Sequence, residues 1–384
     1  MLREKTELTE TEETERKTEQ QAAEDMIYLC GCAVNSVVPD VDRINAMDLA
    51  ALYRVTDRHM LAAAVGVALE SAGIKDTAFS VALAKAIRKT AIVDNEAEKL
   101  LARLEDAGIW YMPLKGALLK DLYPAYGMRE MSDRDILFDA GRAEEVRDIM
   151  LSLGYWVEDY DHEHHDCYFK APVTRFEMHR RLFSRWRSEA QYDYYTDVKT
   201  RLLKDDENEQ GWHFSPEDYY VYMIAHEFKH YSLRGTGVRS LLDTYVYLKN
   251  TDLNLDYVTA EMEKMGISEF ETANRGLALH LFGGEKLTDN DRKMLEYTLA
   301  SGVYGNEENR AENTLREKGR AGYYLSRLTI PYERMLELYP VLRKAPVLYP
   351  FVWTYRLVHA LLFKNKKVLY QLRAGLAWKE NKPK

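Results

Sequence analysis

Cysteine is scarce in this chain, with three in 384 residues (Cys30, Cys32 and Cys167). That is too few for a disulfide framework, and Cys30-Gly31-Cys32 lacks the C-x-x-C spacing of zinc and redox sites. A reducing cytoplasm is the simplest setting. Basic excess is also missing, since the formal net charge is −9. Coating nucleic acid needs a basic face, so general nucleic-acid binding is not expected, although a local basic groove stays open. There is no apolar run long enough to span a bilayer, no N-terminal signal pattern and no repeat period.

What the sequence does have is a 46% hydrophobic content, enough for a substantial core, with 30% charged residues. The length suits two domains or one elaborated domain. Residues 1–25 are almost wholly Thr, Glu, Gln, Lys and Arg. They bury too little to offset ordering entropy, and read as a disordered acidic lead-in or a frayed helix. From 26 to 91 apolar residues recur at three- and four-residue steps (Leu49, Leu52 and Tyr53, then Met60, Leu61, Ala64, Val65 and Ala68), which predicts a helical N-terminal module broken at Ser71-Ala72-Gly73. A further amphipathic helix is expected over 92–104.

Residues 92–200 carry the strand signals. Ile109–Leu114 reads as a buried strand, Lys115-Gly116-Ala117 as a tight turn, and Leu118–Leu122 as a short helix stopped by Tyr123-Pro124. Ser132-Asp133-Arg134-Asp135 then leads into Ile136-Leu137-Phe138. On a strand, Asp133 and Asp135 share one face and Arg134 takes the other. Two like charges on one face repel unless a divalent cation lies between them, which makes this pair a candidate metal site. A helix over 141–153, a strand at 155–157 and a hairpin of 167–170 with 175–179 follow, with Glu177 and His179 on one face and Phe176 and Met178 on the other. The stretch 199–211 reads as a polar connector. Beyond it, Ser215-Pro216-Glu217 opens a run of helices near 216–231, 237–250, 253–265, 268–281 and 288–300. The expected fold class is therefore α+β, a small mixed β-sheet core between helical N-terminal and C-terminal segments, the latter taken as a domain over 201–384.

The order of these parts resembles the DNA polymerase β-like nucleotidyltransferase superfamily. More narrowly it is similar to a bacterial nucleotidyltransferase family with the pattern L-K-G…Y-P…R-x-M-x-D-x-D-[IL]-L. The residues carrying the likeness are Leu114-Lys115-Gly116, Tyr123-Pro124, Arg129, Met131 and Asp133 through Leu137. Glu177-Met178-His179, His226 and His230, and Gly235 through Asp243 extend it. The resemblance implies an enzyme that moves a nucleoside monophosphate from an NTP such as ATP to a hydroxyl of an unidentified acceptor. Mg²⁺ (or Mn²⁺) would be held by Asp133, Asp135 and Glu177, the implied catalytic residues. Hard cations take oxygen ligands, and paired metals stabilise the entering and leaving oxygens of an in-line displacement. It further implies that Lys115, Gly116, Ala117 and Arg129 face the phosphates, while His179, His226 and His230 line the nucleotide cleft. The chain departs from the superfamily at Ala117, where a hydroxyl residue is usual, and at Arg134, which needs a partner on the covered side of the sheet.

Two other readings stand beside this one. The first is a non-catalytic nucleotide- or partner-binding module on the same fold. The second is a zinc hydrolase, because His226-Glu227-Phe228-Lys229-His230 spells H-E-x-x-H, with two imidazoles one helical turn apart and Glu227 as base. Against the latter, Leu233 stands where a metzincin has glycine. His162-Glu163-His164-His165-Asp166 offers transition-metal ligands, and also reads as a solvated loop. Arg175, Arg180, Arg181, Arg185 and Arg187 either contact an anionic acceptor or balance nearby acids. The tail, with Lys364, Lys366, Lys367, Arg373, Lys379, Lys382 and Lys384 among Val368, Leu369, Leu372 and Trp378, reads as a basic amphipathic helix able to touch an anionic surface, or as a docking helix.

Overall fold

The structure is a computed structural model and describes residues 10–161, 164–363 and 365–378. The fold is α+β. Its sheet has five strands: β1 (Tyr111–Pro113), β2 (Arg134–Phe138), β3 (Trp156–Asp159), β4 (His165–Lys170) and β5 (Thr174–His179). They run in the order β1-β2-β5-β4-β3, and the sheet is mixed because only β2 and β5 pair in parallel.

Alternation along the strands gives the sheet two different faces. Ile136 and Phe138 of β2, Tyr168 of β4, and Phe176 and Met178 of β5 pack against Ala97, Leu100 and Leu104 and against Val146, Ile149 and Met150. Those partners lie on the helices Thr77–Asp106 and Ala143–Ser152. The opposite face shows Asp135, Glu177 and His179 at its centre. Next to them Leu137 packs with Leu182, Phe183 and the buried side of the helix Pro216–Tyr231. That helix begins as the sequence predicts, with Ser215 Oγ accepting from the Asp218 N–H and proline in the first turn.

Arg134 has the partner its position demands. It reaches Asp94 on the Thr77–Asp106 helix at 3.2 Å. The same helix runs unbroken through residues 91 and 92. Ile92–Leu104 is thus the C-terminal half of a 30-residue helix rather than a separate element. Of the two readings offered for the lead-in, the helix is the one seen over residues 10–25. They form the start of the helix Glu10–Val34, and Ala22, Ala23 and Met26 are buried. The apolar stripe of its second half docks this helix, and the polar first half follows by helix propagation, which is cheap once a nucleus exists. Residues 1–9 of that expectation lie outside the described part.

The N-terminal helices do not have a core of their own. Met26, Leu29, Leu52 and Val65 share one cluster with Leu241, Leu242, Leu277 and Phe282 from the helices after residue 237. The polar connector at 199–211 is also corrected. Leu202–Lys204 pairs antiparallel with Trp212–Phe214, and Gln210 O accepts from the Tyr111 N–H at the sheet edge. Near the C-terminus, helix Asn365–Ala377 lies on helix Glu307–Leu328. Ala374 packs into a cluster with Leu315 and Tyr323, and the Tyr323 hydroxyl donates to Gln371 O. Lys364, Lys379, Lys382 and Lys384 of the expected basic tail, and His162 and Glu163 of the histidine-rich stretch, lie outside the described residues. Among the described residues, no helix is long and apolar enough to cross a membrane.

Candidate active site

The site is assembled by strand register. In the parallel β2–β5 pair, Asp135 stands directly beside Glu177; in the antiparallel β4–β5 pair, His165 stands opposite His179. One ligand atom each from Asp135, Glu177 and His179 lies within 4.8 Å of the others. Asp135 Oδ1 receives two contacts, from Lys115 Nζ at 2.7 Å and from His179 Nε2 at 2.8 Å. The Lys115 ammonium, helped by the His179 hydrogen bond, holds the Asp135 carboxyl well below the usual carboxylate range despite its burial. Glu177 behaves oppositely. Burial and the charges of Asp135 and Asp133 push its carboxyl up to about 8. Burial is the larger cause, and the neighbouring acids add negative charge that raises the carboxyl further. The oxygen-rich pair therefore fits a divalent cation, which would offset that charge.

Asp133 is placed differently from expectation. It precedes β2, is half-buried, and accepts a hydrogen bond from Ser132 Oγ at 2.8 Å. It does not belong to the cluster of Asp135 and Glu177, though its charge is felt at Glu177 and at Lys89.

The turn at Lys115 carries strain. Lys115 has φ 49° and ψ −121°, a combination that favours glycine. Two contacts hold it: the Tyr219 hydroxyl donates to Lys115 O at 2.6 Å, and the ammonium pairs with Asp135. Strain of this kind costs on the order of 1–3 kcal/mol and concentrates where side chains must be aimed. Of the turn amides expected to face phosphate, that of Ala117 is already used within the turn, donating to Leu114 O.

Arg129 is the clearest correction among the expected phosphate ligands. Its guanidinium is buried and bound in bidentate fashion to Asp243, at 2.7 and 2.8 Å. The fork geometry that suits phosphate suits this carboxylate equally well. A Cβ on Gly116 would meet Arg129 Nη1 at 2.2 Å, so glycine is what lets the pair close under the turn. Gly116→Ala is expected to lower stability by about 1–3 kcal/mol, the usual cost of overpacking. Urea unfolding checks this, and an unchanged midpoint would show that Arg129 moves aside freely.

The helix Pro216–Tyr231 closes the cleft with one face. Tyr219, Tyr222, His226 and Lys229 recur at three- and four-residue steps toward the sheet. His226 Nε2 lies 3.2 Å from His230 Nε2, and His226 feels Lys115 and His179 across the cleft as well as Lys229 and His230 on its own helix. Lys229 is buried, with its ammonium 5.6 Å from the centre of the Phe183 ring. Burial and the Lys115 and Arg187 charges bring it down to about 7. In the sequence Lys229 stood out only as a member of H-E-x-x-H. Its spacing from Tyr222 and His226 was the signal that it faces the cleft.

Glu227 points elsewhere, and this corrects the zinc-hydrolase reading. It is buried against the next helices, where Asn274 Nδ2 donates to it at 3.2 Å. A base on the helix flank turned away from His226 and His230 cannot serve a metal held between them. Among the described residues, no third ligand joins these two histidines. Burial pushes the Glu227 carboxyl up to about 7 from its ordinary 4.5. Between those values the folded chain holds a proton that the unfolded chain has lost, so stability is full below the lower value and falls as pH rises. The slope expected is about 1.4 kcal/mol per pH unit, flattening above pH 7. Glu227→Gln should remove that slope and raise the urea midpoint at pH 8; an unchanged pH profile would count against it.

Arg175, Arg180, Arg181 and Arg185 pair with Glu158, Asp166, Glu337 and Asp193 respectively, which is the charge-balancing role. The structure also brings together His164, His165 and His179, which sequence reading left in a loop and a strand. The signal was available: counting back from the 170–174 hairpin end puts 165 opposite 179.

Residues 45–283 match the model of a family described as an uncharacterised nucleotidyltransferase. That is more than half of the chain, and the chain belongs to this family. No curated protein and no solved structure matches it.

Proposed function

We propose that the chain is a metal-dependent nucleotidyltransferase of the DNA polymerase β-like kind, moving a nucleoside monophosphate from an NTP to the hydroxyl of an acceptor. One observation carries the reading: the parallel register that sets Asp135 beside Glu177 on the open face of the sheet, under Lys115 and the helix bearing Lys229. Asp135 and Glu177 would hold the divalent cation, Mg²⁺ or Mn²⁺, with Asp133 the third acid. Both present contacts of Asp135 fall on Oδ1, so the carboxylate has a second oxygen to offer. When bound, the cation supplies charge stabilisation for the triphosphate and the leaving pyrophosphate. Lys115 and Lys229 neutralise phosphate charge, and His226 and His230 line the wall against which the nucleotide lies. The acceptor oxygen bonds to the α-phosphorus as the bond to pyrophosphate breaks, and the hydroxyl proton passes to a cleft carboxylate. The three cysteines are free and buried, in keeping with a reducing cytoplasm as the place of action.

One observation favours a second reading, a nucleotide-binding module without turnover. The Lys115 ammonium already satisfies Asp135 at 2.7 Å, so a cation must compete with it. Pyrophosphate release separates the two. The purified chain is incubated with each NTP and with Mg²⁺ or Mn²⁺, against a panel of alcohols, sugars, proteins and RNA ends. Metal-dependent release supports transfer. Saturable NTP binding with no release across the panel would support the module instead.

A further inference from the structure

Beside the two carboxylates lies a nitrogen-rich cluster that nucleotidyl transfer does not require. One ring nitrogen each from His164, His165 and His179 lies within 4.8 Å of the others. His164 Nε2 and His165 Nδ1 are already 3.4 Å apart. Two nitrogens on one tetrahedral zinc, each bonded at about 2.0–2.1 Å, stand about 3.3–3.4 Å from each other. Their separation is thus that of two ligands to one ion, and it is long for a hydrogen bond between rings.

The outer side of each ring makes the case stronger. Metal-binding histidines hand their second ring nitrogen to a carboxylate, a carbonyl or water, which fixes tautomer and orientation. Here His164 Nδ1 has such a partner in Ser184 Oγ at 3.1 Å, and Glu177 Oε2 stands 3.6 Å from His165 Nε2, close by but beyond hydrogen-bond reach. His179 Nε2 is 2.8 Å from Asp135 Oδ1. The remaining nitrogen of His179, Nδ1, is buried and has no partner among the described residues, on a residue only 2% exposed. An orphaned imidazole nitrogen in the interior forfeits a hydrogen bond, and that cost needs an explanation.

We propose that His164, His165 and His179 form a transition-metal site that takes zinc, distinct from the Mg²⁺ or Mn²⁺ place at Asp135 and Glu177. Imidazole nitrogens select borderline cations such as Zn²⁺, whereas carboxylate oxygens suit Mg²⁺ and Mn²⁺. The two sites are joined through Asp135, which orients His179 from outside, with Glu177 close to His165. Three histidines leave a fourth position open, as in zinc sites that bind a water or a substrate oxygen. This arrangement gives the cleft a way to hold an acceptor oxygen beside the carboxylates.

The test uses the full chain, stripped with a chelator, dialysed and titrated with zinc in the presence of millimolar Mg²⁺. One zinc per chain is expected, bound in the micromolar range or tighter and not displaced by Mg²⁺. The His164→Gln/His165→Gln variant should weaken zinc at least ~100-fold, more than loss of an outer partner does. His226→Gln/His230→Gln should leave it unchanged. Cobalt substitution of the unaltered chain should give the intense visible bands of a tetrahedral nitrogen site, a readout that needs no variant to fold. No zinc uptake by the unaltered chain overturns the proposal. So does equal zinc in the His164/His165 variant, or loss only in the His226/His230 variant. None of these results touches pyrophosphate release with Mg²⁺, so this proposal and the transfer reading fail separately.

Discussion

Asp135→Asn is expected to reduce nucleotidyl transfer by on the order of 10³-fold while the chain stays folded. The carboxylate sits at the one point where the sheet, the Lys115 turn and His179 meet, with both of those contacts on Oδ1. Asparagine keeps the shape and the acceptor oxygen but removes the charge that a divalent cation needs. A metal contributes several kcal/mol of charge stabilisation to such a reaction, and each 1.4 kcal/mol or so is tenfold in rate. The cost to folding should be smaller. The Lys115 side chain is 22% exposed, so its ammonium reaches water once its partner is gone. Pyrophosphate release at saturating metal and NTP measures the first effect, and the melting temperature measures the second. Undiminished release by a folded variant would overturn the proposed role. Repeating the measurement on Asp133→Asn decides whether the acid that stands outside the cluster takes part.

How much of this site was readable in advance depended on the range of the interaction. Local alternation was enough for the strand bearing Asp135 and for the hairpin bearing Glu177, because burial of Ile136, Phe176 and Met178 forces the neighbouring positions to the other face. Proline and serine at 215–216 were enough for the start of the cleft-closing helix. Arg129 was misread because its partner, Asp243, lies 114 residues away, and nothing local distinguishes a guanidinium bound to phosphate from one bound to carboxylate. Glu227 was readable only as part of H-E-x-x-H. That pattern fixes the spacing of two histidines but says nothing of which helix flank meets the core. Composition left a disordered lead-in and a frayed helix both open for 10–25, because it measures only the average polarity of a segment. What orders this one is the short stripe of Ala22, Ala23 and Met26 at its far end.

The second large effect concerns stability rather than chemistry. Asp243→Ala is expected to cost about 3–5 kcal/mol, the range for removing one partner of a buried ion pair. Two groups depend on this carboxylate through three hydrogen bonds: the Arg129 guanidinium at 2.7 and 2.8 Å, and the Tyr123 hydroxyl at 2.7 Å. All lie where water does not readily replace the lost contact, since Arg129 and Asp243 are each less than 10% exposed. Most of the penalty is the cost of stranding Arg129, not the worth of the pair itself. It follows that Arg129→Met with Asp243→Leu should be more stable than Asp243→Ala alone, because the charge and its desolvation leave together. Urea unfolding of the singles and the double supplies the coupling energy. If the double is as unstable as the sum of the singles, the pair is not what holds this junction. The double also separates two roles of Arg129. Its guanidinium packs against Gly116, so a stable double that has lost transfer would show that the pair aims the Lys115 turn at the carboxylates. A stable double that retains transfer would confine the pair to joining the Val238–Asn250 helix to the sheet's turn.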